Sequence, residues 1–221
     1  MSREKHHRTR RLIHLIKYSS LSIVLFALFV VCISAQSFAG WRLQNETLAA
    51  HGQALVGYWH YLSTGTFLQG LASNWQAAFL QLASLVLFSS FLYQRGAPHS
   101  LDPRKPKSEQ KRHEEAYRFT WFYRHSLVLA LMLLFVLSLA LYVVSGTNGY
   151  NEERALTGQP LISIAAFLLS VKFWSSTLQT WQAEYLAIAL YVVLSVFLHQ
   201  QGSPESKQLE SSTETTGEAN K

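Results

Sequence analysis

The chain has 221 residues, 49% of them hydrophobic, and a formal net charge of +6. A soluble domain of this size spreads its apolar residues in short periodic stripes. Here they are gathered into four long runs, which excludes that class, and the lone Cys32 leaves no intrachain disulfide to staple a small secreted fold.

Residues 1–17 form a basic arm carrying Arg3, Lys5, Arg8, Arg10, Arg11 and Lys17. Its His6-His7 pair lacks further ligands and is no metal site by itself. The first apolar run follows, with a span expected over residues 20–39. Basic residues before it and Ser37-Phe38-Ala39 after it also fit a cleaved signal peptide. Against cleavage stands the match between this run and a later one in mid-chain. A second span is expected over 75–94, a third over 126–145 and a fourth over 181–199, each near the roughly 17–25 residues that cross a bilayer core.

The chain is written twice. Residues 18–100 align with 124–206 without a gap at an offset of about 106 positions, and about a third of the pairs are identical. Gly40 falls on Gly146, Asn45-Glu46 on Asn151-Glu152, Gly52-Gln53 on Gly158-Gln159, and Trp75-Gln76-Ala77 on Trp181-Gln182-Ala183. The fold class expected is all-α: a polytopic membrane four-helix bundle built from two tandem two-span repeats. Repeat 1 covers 18–100, a basic linker 101–123, repeat 2 124–206, and a polar, disordered cytoplasmic tail 207–221. Two units of equal orientation imply a pseudo-two-fold axis along the membrane normal.

Within each unit, the spacing predicts that the first span stops at Gly40 or Gly146. A short helix then starts at the N-cap Asn45 or Asn151, and Glu46 or Glu152 favours its positive end. A surface helix follows over 55–62 or 161–169. Trp75 and Trp181 are expected as interface anchors. Gly96-x-Pro98 and Gly202-x-Pro204 read as stops. The polar positions Asn45, Glu46, Gln53, Gln76, Asn151, Glu152, Gln159, Gln182 and Glu184 are the candidate residues of an outer cap or vestibule between the copies. Glu184 has Lys172 and Arg154 as expected ion-pair partners.

Sixteen of the 19 Lys and Arg residues fall in the arm, the linker with its flanks, and the tail; Arg42, Arg154 and Lys172 fall between spans. The positive-inside rule therefore places both termini in the cytoplasm and the protein in the cytoplasmic (inner) membrane. The basic arm and linker are expected against anionic lipid headgroups; no nucleic-acid motif accompanies the charge. No metal-ligand spacing, phosphate loop or nucleophile motif is found, so no cofactor is expected.

The string Gly-x4-Asn-Glu, then Gly-Gln, then Trp-Gln-Ala leading into an apolar run resembles a bacterial family of small four-span membrane proteins of unknown function. The resemblance covers nearly the whole chain except the tails, and implies the architecture without an activity. In that family an acidic residue tends to follow the Trp-Gln-small triplet. Glu184 matches; the first copy has Ala78.

The expectation is a non-enzymatic structural or accessory membrane component, with a homo-oligomer or a membrane-protein partner. The alternative is a small transporter or channel on the axis between repeats, contacting Gln76 and Gln182. A membrane enzyme using Glu46, Glu152 and the histidines is the least favoured class.

Overall fold

A computed structural model describes residues 18–100, 121–207 and 216. The basic arm, most of the linker and all of the tail beyond Lys207 except Thr216 lie outside these. Among the described residues the secondary structure is entirely helical. In chain order the helices are α1 (Ser20–Ala50), α2 (Tyr58–Tyr61), α3 (Gly65–Ser89), α4 (Trp121–Arg124), α5 (Ser126–Leu156), α6 (Ile164–Leu168) and α7 (Val171–Phe197). Four of them, α1, α3, α5 and α7, are long and apolar enough to cross a membrane.

Their outward faces are apolar. Phe26 is 68% exposed on α1, Leu133 59% on α5 and Leu186 55% on α7. A helix that is apolar all round belongs in a core or a bilayer. The 31 residues of α1 and of α5 span about 46 Å at 1.5 Å per residue, longer than a hydrocarbon core of roughly 30 Å.

That length corrects the expected stops. Gly40 and Gly146 lie inside continuous helices, and Asn45 and Asn151 are helix-interior residues, not N-caps. The glycines serve close packing instead. A Cβ on Gly40 would collide with the Tyr61 phenol, and one on Gly146 would lie 2.9 Å from the Phe167 ring. The helices end at Gly52 and Gly158, whose φ values are 67° and 68°. There Gly52 N–H donates to Ala49 O at 3.0 Å and Gln53 N–H to Leu48 O at 2.9 Å. This pair of hydrogen bonds over a left-handed glycine is the Schellman ending, and Gly158 and Gln159 repeat it on Ala155 and Arg154.

The asparagines clamp the loop that follows. Asn45 donates to Val56 O at 3.0 Å and accepts from Val56 N–H at 2.8 Å. Asn151 does the same with Ile162, at 3.0 and 2.9 Å. The surface helices are shorter than expected: α2 has four residues and α6 five. Thr64 and Ser170 then cap α3 and α7, accepting from Phe67 and Phe173 N–H.

α3 is the centre of the assembly. It packs most closely along α5 and next against α7. α1 stands at the margin, joined through Tyr61, Phe67 and Leu71 packed against Ile33 and Trp41. A second core holds Ala72, Tyr142, Phe167 and Phe173. The expected two-fold does not extend to this packing. Gln76 meets Trp181, but Gln182 is exposed and Trp75 packs on Phe29, with ring centroids 6.2 Å apart.

Candidate functional site

Two places gather polar side chains between long helices. The first is the crossing where α3 begins against the last turns of α5. Gly65 and Gly149 lie back to back: a Cβ on Gly149 would stand 2.8 Å from Gln69 Oε1 and 2.9 Å from Thr66 N. This backbone approach lets the Glu152 carboxylate reach the start of α3. It accepts from Gly65 N–H at 2.9 Å, from Thr66 Oγ1–H at 2.9 Å and from Thr66 N–H at 3.4 Å. A negative charge on the unpaired N–H groups of a helix start is stabilised by the helix dipole.

The two expected glutamates therefore differ. Glu46 is exposed and makes no hydrogen bond or ion pair among the described residues. Gln53, Gln159 and Gln182 are exposed as well, and their side chains bond nothing among those residues. Gln76 is fully buried; its amide donates to Ser73 O at 2.9 Å and accepts from the Trp181 indole N–H at 2.8 Å. Trp75 and Trp181 sit about three turns inside their helices, and the Trp181 N–H points to Gln76 and not to water. Glu184 does not pair with Lys172 or Arg154. Lys172 Nζ bonds Glu153 at 2.9 Å, Arg154 Nε donates to Pro160 O at 2.6 Å, and the backbone oxygen of Glu184 accepts from Gln81 at 3.4 Å. Asn45, Asn151, Glu152 and Gln76 thus bond at separate points, and the other candidate side chains bond nothing among the described residues.

The second place was not foreseen. At the C-terminal ends of α3 and α7, Tyr191 in the last turns of α7 forms a cluster with His99 and Glu205, which lie beyond the two helices. His99 Nε2 lies 3.0 Å from Glu205 Oε2 and 2.7 Å from the Tyr191 hydroxyl, which donates to Glu205 Oε2 at 3.1 Å. The His99 and Tyr191 rings stack at 5.7 Å. Below the cluster a cavity of about 550 Å³ opens between the two helices. Leu85, Phe88 and Leu92 line one wall and Ile188, Ala189 and Val192 the other, with His99 and Tyr185 also on its border. Tyr185 is held by Ser84, 3.0 Å away. The sequence carries a signal for this cluster: Pro98-His99 and Pro204-Glu205 occupy the same register, so a base and an acid replace one another 106 residues apart.

Among the described residues, an all-helical fold with four helices of membrane-spanning length defines a class and not an activity. A family model described as a domain of unknown function (DUF6766) matches residues 12–218. The chain belongs to that family. No curated protein and no solved structure matches it.

Proposed function

We propose that the chain is a non-enzymatic structural or accessory component of a bacterial cytoplasmic membrane, built by tandem duplication of a two-span unit. The observation that carries the reading is the closed crossing of α3 with α5. Where a transporter needs an open polar path, Gly65 and Gly149 bring the helices to backbone contact, and Gln76 is buried against Trp181. Gln182 is exposed elsewhere, and Ala183 and Ala187, one turn apart on the same helix, are exposed as well. A face of small residues on an outer helix suits contact with another membrane helix. An enzyme at the outer interface is disfavoured by the separation of its expected groups: Glu152 is committed to α3, Glu46 is exposed, and His51 bonds the backbone of Thr47.

The duplication is supported by matching local geometry: the asparagine clamps, the Schellman endings and the glycine seats for Tyr61 and Phe167 recur at equivalent positions. The membrane reading is supported by the exposed apolar faces, and the orientation by the sorting of basic residues, with both termini in the cytoplasm. On this reading the basic arm and linker lie against anionic headgroups.

Two experiments test it. In a Cys32→Ser background, a membrane-impermeant maleimide on intact cells should label Thr157→Cys and spare Ser2→Cys; the reverse pattern overturns the orientation. Mild solubilisation, affinity capture and mass spectrometry should yield a stoichiometric membrane-protein partner. Solute flux through proteoliposomes of the purified protein, abolished by a channel-blocking substitution, would replace the accessory reading with the transporter.

A further inference from the structure

We infer that the cavity between the C-terminal halves of α3 and α7 is a binding site for one uncharged, hydroxyl-headed, single-chain amphiphile, held with its head at His99 and its chain between Phe88 and Val192. Three features point to this ligand chemistry. The volume of about 550 Å³ lies within the roughly 300–1,000 Å³ of small-molecule sites. The walls are mostly apolar side chains, and Tyr93, Gln94, His99 and Ser100 follow one another at the end beyond α3, which suits a chain below a head. The polar end also has a defined hydrogen-bonding character.

That character follows from the cluster. Tyr191 gives its hydroxyl proton to Glu205, so the proton on His99 Nε2 is the one facing Glu205 and the Tyr191 oxygen. In the neutral imidazole the other nitrogen, Nδ1, is then an acceptor. It makes no hydrogen bond among the described residues, and His99 borders the cavity. A head with an O–H to donate satisfies it. The Glu205 carboxylate beside it repels an anionic head, so a phosphate or fatty-acid carboxylate is the poorer occupant. On the proposed orientation the site opens in the cytoplasmic leaflet, where single-chain amphiphiles partition laterally. The inference rests on the membrane reading, but the two fail separately, because maleimide mapping reports orientation and ligand labelling reports the cavity.

The test uses full-length protein in detergent micelles and a long-chain alcohol carrying a photoactivatable diazirine in its chain. Labelling is expected to saturate and to map to residues 85–92 and 188–195. Unlabelled alcohol should compete about tenfold better than the fatty acid of equal length. Ala189→Phe fills the cavity and should abolish saturable labelling while the protein elutes as the wild type does. His99→Phe keeps the ring stack on Tyr191 but removes Nδ1. It should lower the alcohol's advantage over the matched hydrocarbon by about two- to tenfold, the weight of one hydrogen bond. Labelling spread over all four long helices, or unchanged in a folded Ala189→Phe protein, overturns the site. An undiminished advantage in His99→Phe, or better competition by the fatty acid, overturns the head assignment. If Ala189→Phe aggregates, competition on the wild type decides: failure of unlabelled alcohol to protect residues 85–92 refutes the site.

Discussion

Glu152→Ala removes the carboxylate that ties the start of α3 to the end of α5. Two strong hydrogen bonds at 2.9 Å are lost, to Gly65 N–H and the Thr66 hydroxyl, with a weaker one at 3.4 Å. A hydrogen bond to a charged group contributes about 1.5–3 kcal/mol net, and a charge at a helix start about 0.3–1 kcal/mol. Solvent screening takes both values somewhat below their lower ends here, because Thr66 is exposed and Glu152 is partly so. A total of about 2–3 kcal/mol follows. For a chain of this size each kcal/mol moves the melting temperature by about 2–4 °C. Thermal unfolding in detergent, followed by tryptophan fluorescence, should therefore fall by about 5–10 °C in Glu152→Ala. Glu152→Gln keeps one acceptor and should lose about half as much. The control is Glu46→Ala at the equivalent position, where no partner is lost among the described residues; its effect should stay within about 0.5 kcal/mol. Equal losses at Glu46 and Glu152, or no loss at Glu152, would refute the role of the carboxylate as a helix-start lock.

Three further outcomes follow from the same geometry. Gln76→Leu strands the Trp181 indole N–H and should cost about 1–3 kcal/mol, whereas Gln182→Leu should be neutral; adding Trp181→Phe to Gln76→Leu should recover part of the loss, read as a double-mutant cycle of chemical stability. Gly149→Ala drives a methyl against Thr66 N and Gln69 Oε1 and should cost about 1–3 kcal/mol by overpacking, while Gly57→Ala, with open space around it, should cost nothing measurable by thermal unfolding. Burial pushes the Tyr61 phenol above its ordinary value, so folding favours its neutral form. Its contribution is intact below about pH 10 and is lost as pH rises further, through ionisation in the unfolded chain and then in the folded one. Stability measured against pH should then decline more steeply above pH 10 in the wild type than in Tyr61→Phe.

Much of the fold is legible in the residues because a bilayer-length apolar run has few alternatives. The four runs became α1, α3, α5 and α7, and Gly52 and Gly158 end helices as glycines with positive φ do. Gly40 and Gly146 were misread because a glycine after an apolar run looks the same whether it stops a helix or seats a ring. Only the neighbours Tyr61 and Phe167, about twenty residues on, separate the two cases. Asn45 and Asn151 were read as caps because a side chain bonding a loop eleven residues away leaves no local pattern. Of the candidate residues, Glu152 and Gln76 act between helices, Asn45 and Asn151 within a unit, and Gln53, Gln159 and Gln182 face outward. The His99–Tyr191–Glu205 cluster leaves no local pattern, because His99 stands 92 residues from Tyr191 and 106 from Glu205, and matched positions do not say what faces what across the fold.

The same point explains why identical letters at Glu46 and Glu152 have different neighbours. In a tandem array each second span can pack against the next first span, as α3 packs on α5. Within one chain only the inner pair of spans has such a neighbour; α1 and α7 are the free ends. The glycines follow that distinction. Gly65 and Gly149 permit backbone contact at the inner crossing, while the equivalent positions hold Val171 and Leu43, which are 84% and 65% exposed. A valine and a leucine there forbid an approach as close as the inner one, so the outer ends of α1 and α7 cannot copy it, either within the chain or between two copies. Glu46 consequently has no helix start to hold, and Lys172, standing where Thr66 does, bonds Glu153 instead. On the duplication reading, the two halves kept the residues that shape each unit and diverged at those that join one unit to the next. The result is an asymmetric bundle with a locked α3–α5 crossing and exposed apolar flanks.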